Sequence, residues 1–250
     1  MNRVLKIGSW CCRFLSKYLL KYLGAECSSC APPTHSFELL EKTVRPFDVI
    51  LVEGKQRYSA AIKYLTQSNW SHAAVYIGDG VIIEAEVDSG VIKSPLNKYR
   101  GYHTRICRPI SITADDQIIL LDFLKSQIGY QYDLKNIFDL ARYLLPTPPV
   151  PISMRRKLLY FGSGDPTKAI CSSMVAMAFQ KINYPILPTT QVSNNISYLR
   201  PRHYSLFTPS DFDRSPYFAV IKPTIENYFN YRELHWESEL KQLSQLDYIT

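Results

Sequence analysis

The stretch NWSHAAVYIGDGVIIEAE, residues 69–86, decides the fold of this protein. A mostly apolar run begins at His72, the tripeptide GDG at 78–80 is a strong turn signal, and a second apolar run follows it. This pattern predicts a β-hairpin with Glu84 and Glu86 on the returning strand. A core strand tolerates polar groups only when they are paired or in use. The histidine and the two glutamates are therefore candidate functional residues.

The register of the hairpin determines which glutamate meets the histidine. With a loop of residues 78–80, Ala74 lies opposite Glu84 and His72 lies opposite Glu86. Directly opposed and diagonal neighbours are both within side-chain reach, so either glutamate can hold the imidazole. A carboxylate on one imidazole nitrogen selects the tautomer and raises basicity, as a general base requires. The alternative is that His72 is only a structural hydrogen-bonding residue near a strand end.

A second chemical group lies far downstream, where Cys171 follows the loop residues GDPT and opens a segment with apolar residues at helical spacing. The unpaired amides and the dipole at a helix N-terminus stabilise a thiolate. Those amides, with Ser172 and Ser173, can also face a developing oxyanion. The alternative is that Cys171 merely fills space, because cysteine is among the most buried residue types. Together with His72, it fits a thiol nucleophile and its base.

Composition narrows the class of protein. A chain of 250 residues that is 46% hydrophobic and 20% charged can bury a large core and is not wholly disordered. The net charge is +7, but residues 1–30 hold five basic residues against one acidic residue. The body is therefore only weakly basic, and it carries no nucleic-acid motif, so we expect no nucleic-acid partner.

The cysteines and the other histidines do not form a metal or disulfide pattern. Four of the six cysteines fall in the first thirty residues, and Cys27-x-x-Cys30 has no second ligand pair at zinc-like spacing. His103, His203 and His235 have no partner pattern and are interpreted as structural or surface residues. The sequence therefore predicts neither a metal site nor an organic cofactor.

The N-terminal segment has aromatic residues and leucines at helical spacing with basic residues between them. Lys17 and Lys21 interrupt the apolar core that a signal peptide needs. A basic amphipathic helix either lies on an anionic membrane surface or packs on the domain. We expect a cytoplasmic or peripheral membrane protein, with export still open.

In chain order, these motifs resemble the circularly permuted branch of the NlpC-type, papain-like cysteine hydrolases, the YaeF/YiiX-like group. In the permuted members the histidine hairpin precedes the cysteine helix, as it does here. The similar stretches, between about residues 45 and 222, are FDVILV, SHAAVYIGDGVIIEAEVDSGVIKSPLNKY, IGYQYD, ICSSMVAMAF and TPSDFDRSPYF. The resemblance implies an α+β, permuted papain-like (NlpC-type) fold, in which an antiparallel sheet or barrel packs against the nucleophile helix.

The resemblance also implies roles for individual residues. Cys171 matches the nucleophile, His72 the base, and Glu84 the polar residue that orients the histidine. The further substrate or oxyanion candidates are Ser172, the dipeptide Tyr132 and Asp133 that matches the family's YD ahead of its cysteine, and Glu86, which replaces Glu84 if the hairpin loop is read differently.

Three features depart from the family pattern. The family usually has glycine where this chain has Phe47, and often glutamate where it has Ser173. Neither change removes a catalytic group. The larger departure is a helical insertion at about 134–165, with a stiff PTPPVP spacer. Three roles are open for this insertion: a cap over the cleft, a contact with lipid, or an addition to the core.

The expected organisation is a basic amphipathic segment at 1–34, a hydrolase domain at 35–225 and a C-terminal helix at 226–250. The expected activity is that of a cysteine hydrolase of the thiol peptidase or amidase class, which cleaves an amide or ester through a thioester. Its substrate would be a peptide, an acyl-amide or a lipid-linked molecule. Two alternatives remain: a lipid acyltransferase that uses the same residues, and a catalytically silent, membrane-associated binding domain.

Overall fold

The structure is a computed structural model that describes residues 25, 31–86, 89–131, 171–193 and 196–227. The strands in these ranges are β1 (Val49–Val52), β2 (His72–Gly78), β3 (Val81–Glu86), β4 (Gly90–Pro95), β5 (Thr104–Pro109), β6 (Thr189–Ser193), β7 (Ile196–Arg200) and β8 (Phe218–Ile221). The helices are α1 (Phe37–Thr43), α2 (Arg57–Thr66), α3 (Ala114–Ser126), α4 (Cys171–Lys181), α5 (Pro209–Asp213) and α6 (Pro223–Glu226). Short 3₁₀ turns occupy Leu96–Tyr99 and Tyr204–Leu206.

Six of the strands form one antiparallel sheet in the order β4-β3-β2-β1-β5-β8, while β6 and β7 form a separate pair. The expected α+β class agrees with this arrangement, but the alternative of a closed barrel is wrong. Closure would need β4 to pair with β8. Instead, the outer edge of β4 pairs with the loop after α3, where the Val91 N–H donates to the Tyr130 carbonyl at 2.9 Å and the Gly129 N–H donates to the Val91 carbonyl at 2.9 Å.

The β2–β3 hairpin has the predicted register, because Ala74 pairs with Glu84. Its loop is shorter than predicted. Gly78 pairs with Val81 after a register shift, so only Asp79–Gly80 turn the chain. Both turn residues have positive φ, 52° and 69°, as a two-residue type I′ turn requires. The GDG signal was therefore correct as a turn, but the first glycine belongs to the strand.

The sheet buries both faces because side chains alternate along each strand. On one face, α3 and α4 pack against the sheet, and Met174, Val175, Ala178 and Phe179 of α4 are buried there. The four residues predicted to be buried are buried, but so are Cys171, Ser172, Ser173 and Ala176, so burial is not confined to one face of the helix. On the other face, α1 and the 3₁₀ turn Leu96–Tyr99 cover a second cluster that includes Ile50 and Ile82. Each fully buried large apolar side chain contributes about 1.5–3 kcal/mol.

Phe47 adopts a backbone conformation that ordinarily favours glycine. Its φ is +70°, in the left-handed region that favours glycine, and its N–H donates to the Tyr76 carbonyl at 2.7 Å. A left-handed conformation costs an ordinary residue roughly 1–2 kcal/mol. The Phe47 ring is only 5% exposed and belongs to the core, and burial on this scale offsets that cost. The backbone geometry that suits glycine is kept with a phenylalanine.

Several predictions fall outside the described residues. These are most of the N-terminal segment, the insertion at 134–165, nearly all of the C-terminal helix, His235, and the pair Tyr132 and Asp133. Within the described ranges, no helix has the length and apolar character needed to cross a bilayer.

Candidate active site

His72 and Glu84 are brought together by the central hairpin. His72 opens β2, where it pairs with Val52 of β1, and its side chain is 21% exposed. Glu84 lies within β3 and is fully buried. The His72 Nε2 lies 2.9 Å from the Glu84 Oε2. Of the two glutamates that the sequence left open, Glu84 therefore contacts the imidazole.

Cys171 approaches the same histidine from α4, which lies over β2. Its thiol is buried, and its Sγ lies 4.0 Å from the carbonyl oxygen of Ser71, the residue before His72. The thiol is close enough to influence the pKa of the His72 imidazole through charge and hydrogen bonding. Because Nε2 faces Glu84, Nδ1 is the imidazole nitrogen left for a further partner.

The electrostatics favour a charged imidazole. Burial lowers the pKa of His72, but the negative charge and hydrogen bond of Cys171, together with those of Glu84, outweigh burial and raise the pKa to about 10. Burial raises the pKa of Glu84, but hydrogen bonds to His72 and Lys98 and the charge of His72 hold it well below its usual range. An imidazolium next to an ionised Glu84 carboxylate is therefore the stable arrangement near neutral pH.

Two residues of this site were missed by sequence reasoning. The Lys98 Nζ donates to the Glu84 Oε1 at 2.6 Å, and it also contacts a carboxylate oxygen of Glu86. The buried Tyr99 hydroxyl donates to the Glu84 Oε2 at 2.7 Å. Burial and the charge of Glu84 raise the pKa of Tyr99 well above its usual value, so its hydroxyl keeps its proton. Both residues lie in the quoted stretch SPLNKY, where no motif or spacing marks them as part of a site.

The other candidates have different surroundings from those expected. Glu86 reaches the network through Lys98. The buried Ser172 hydroxyl donates to the Phe207 carbonyl at 2.7 Å and so joins α4 to the Tyr204–Leu206 turn. The Ser172 hydroxyl proton is therefore already donated within the protein. The Ser173 side chain is also buried.

In the part of the chain that the structure describes, no three His, Cys, Asp or Glu side chains are grouped to hold a metal ion. The donors of the site are committed to protein partners. Glu84 Oε2 faces His72 and Tyr99, and its Oε1 accepts from the Lys98 ammonium. A cation bound there would have to displace that ammonium group.

Comparison with known proteins finds similarity only at the level of structure. No protein-family model matches the chain, and no curated protein matches it. Among solved structures, the chain is similar to the metalloprotein YiiX from Escherichia coli O157:H7, DUF1105, with a TM-score of 0.46 and 15% sequence identity. The match covers 71% of this chain and 96% of that chain. This likeness concerns the fold alone.

Proposed function

We propose that this protein is a cysteine hydrolase with a permuted papain-like fold, in which Cys171 is the nucleophile, His72 the base and Glu84 the residue that orients the base. The observation that carries the proposal is the convergence of three groups: the His72 Nε2 lies 2.9 Å from the Glu84 carboxylate, and the buried Cys171 Sγ lies 4.0 Å from the carbonyl oxygen of Ser71, the residue next to His72. A nucleophile, a base and an orienting group in this order define the chemistry of acyl transfer.

The reaction starts when the Cys171 thiolate attacks the carbonyl carbon of an amide or ester. The His72 imidazolium gives its Nδ1 proton to the leaving amine or alcohol, the carbonyl–heteroatom bond breaks, and a thioester remains on Cys171. His72, now neutral, takes a proton from water as the water attacks the thioester. The acid product leaves and the thiolate–imidazolium pair is restored. Throughout, Glu84 holds the Nε2–H and stabilises the charged ring.

The proposed substrates are a peptide, an acyl-amide or a lipid-linked molecule, with an anionic membrane surface as a partner for residues 1–30. A lipid acyltransferase would form the same thioester and differ only in its acceptor, an alcohol or amine in place of water. Product analysis separates the two activities, since hydrolysis releases the free acid and transfer yields a new ester or amide.

The test measures iodoacetamide labelling of each cysteine separately over a range of pH, in wild type and in His72→Ala. Cys107 is an internal control, because it is a fully buried free thiol whose pKa burial raises well above its usual value. We expect wild-type Cys171 to react with iodoacetamide at pH values well below the ordinary thiol pKa of about 8.5. In His72→Ala, Cys171 should lose that reactivity. Cys107 should stay unlabelled in both proteins.

If Cys171 is inert in wild type, or if its labelling does not depend on His72, the proposal fails and the silent binding domain is the better interpretation. If the pair is coupled, a screen with acyl-amides and lipid esters follows, with thioester formation detected as a mass increase on Cys171.

A further inference from the structure

Glu84 is the most heavily engaged carboxylate of the site. It is fully buried, yet its two oxygens contact His72, Tyr99 and Lys98, and Ser94 also hydrogen-bonds to it. Oε2 faces His72 at 2.9 Å and accepts from Tyr99 at 2.7 Å, while Oε1 accepts from Lys98 at 2.6 Å. A buried carboxylate with its negative charge uncompensated is costly. Lys98 supplies both the compensating charge and the donor on the side away from His72.

Lys98 is itself held in place. Its ammonium also contacts Glu86. Glu86 lies two residues after Glu84 on the same strand, and therefore on the same face of the sheet. Its Nζ lies 5.9 Å from the centre of the Tyr99 ring. One lysine thus bridges two carboxylates of β3, and one of them carries the imidazole.

We infer that Lys98 is a positioning residue of the site, which keeps Glu84 ionised and turned so that Oε2 faces His72, while Glu86 anchors the ammonium. This inference rests on the proposed function, because it assigns Lys98 a role through the Glu84–His72 contact. Lys98 does not touch the thiol or the reacting atoms.

The charged and titratable groups that face this unit come from four elements. They are Glu84 and Glu86 on β3, Tyr99 beside Lys98 on the 3₁₀ turn, His72 on β2 and Cys171 on α4; Ser94 of β4 adds a hydrogen bond to Glu84. Removing the lysine charge acts on His72 in two opposite ways. Loss of a nearby positive charge raises the pKa of the imidazole. Loss of a Glu84 carboxylate oriented toward His72 lowers that pKa. The sign of the change in the His72 pKa therefore separates a positioning role of Lys98 from a purely electrostatic one.

The experiment compares Lys98→Met, Lys98→Arg and Lys93→Met in the full chain. Lys93 is an exposed lysine on β4, near the same edge of the sheet, and it serves as the matched control. The first readout is the His72 titration by NMR of histidine-labelled protein, with the resonance assigned by His72→Gln. The second is the pH profile of Cys171 labelling by iodoacetamide.

We expect Lys98→Met to lower the pKa of His72 by about one unit, a tenfold change in its protonation equilibrium, with a matching loss of Cys171 labelling at neutral pH. Lys98→Arg should keep the His72 pKa and the Cys171 labelling close to their wild-type values, because the guanidinium can also donate to two carboxylates. Lys93→Met should behave as wild type.

The inference is overturned if Lys98→Met raises the pKa of His72, which means that the lysine acts only as a nearby charge, or if it leaves the titration unchanged. Failure of the proposed function has a different signature. In that case the labelling of Cys171 does not depend on His72 in the protein that still carries Lys98.

Discussion

Two histidine–glutamate pairs lie at the same end of the sheet, and they differ in their surroundings. His72 and Glu84 belong to β2 and β3, whereas His103 and Glu53 lie just beyond β5 and β1. The imidazole–carboxylate distances are nearly equal, 2.9 Å and 3.0 Å. The distance between the two groups therefore does not distinguish the proposed catalytic pair from the other one.

The third group makes the difference. The Cys171 thiol influences the pKa of His72, whereas the His103 ring packs on the indole of Trp70 with their centres 4.9 Å apart. Trp70 is buried, and its Nε1–H donates to Asp213 at 3.2 Å. Each glutamate even has its own lysine, at 2.6 Å for Glu84–Lys98 and 2.8 Å for Glu53–Lys63. The comparison predicts that equivalent substitutions in the two pairs have unequal consequences.

The largest difference is expected between His72→Gln and His103→Gln. His72→Gln removes the proposed base, so acylation of Cys171 by p-nitrophenyl acetate should slow by about 10²–10⁴-fold. His103→Gln keeps a polar side chain against Trp70 and should acylate Cys171 at close to the wild-type rate. The measurement is the rate of thioester formation at Cys171 by mass spectrometry. Equal losses in both variants would mean that the two pairs form one functional unit.

The next difference is expected between Glu84→Gln and Glu53→Gln. The amide has nearly the same size as the carboxylate but lacks its charge, so Glu84→Gln should lower the pKa of His72 and reduce Cys171 labelling at neutral pH by about tenfold for each unit of pKa lost. Glu53→Gln should leave the labelling rate unchanged. NMR titration of His72 in both proteins provides the check. An unchanged His72 titration in Glu84→Gln contradicts the orienting role of Glu84.

The pH dependence of stability provides a third comparison. The pKa of His72 is raised from 6.5 to about 10. The stability that this group contributes is therefore fully present below about pH 6.5 and is lost as the pH rises through about 10, by an amount on the order of 5 kcal/mol. The urea unfolding midpoint of wild type should fall over this range more steeply than that of His72→Gln. Parallel curves for the two proteins would contradict the raised pKa.

The smallest effect is expected for Lys63→Met, the counterpart of Lys98→Met. Lys63 is 19% exposed and pairs with Glu53, which His103 also contacts. Its loss should cost about 1–3 kcal/mol in unfolding free energy, because it removes a hydrogen-bond donor from the buried Glu53 carboxylate, with no change in Cys171 labelling. Chemical denaturation and iodoacetamide labelling of the same sample test both statements. A loss of labelling in Lys63→Met would remove the distinction between the two lysines.

The sequence predicted those parts of the site that depend on local pattern. Alternation of apolar residues and the GDG turn signal placed Glu84 opposite Ala74, and the structure has this pairing although its turn is one residue shorter than predicted. Helical spacing after Cys171 predicted four of the buried residues of α4. These predictions succeed because the two-residue period of a strand and the 3.6-residue period of a helix are properties of neighbouring residues.

Only the tertiary structure decided which carboxylate holds His72, which residues support it, and how the sheet ends. Lys98 and Tyr99 meet Glu84 because the chain after β4 folds back in a 3₁₀ turn over the face that carries His72. The contact between His103 and Glu53, fifty residues apart, left no mark in the local sequence. The sheet is open because residues 129–130 pair with the outer edge of β4. Such contacts depend on which segments the fold brings together in space, and no local period of the chain encodes that.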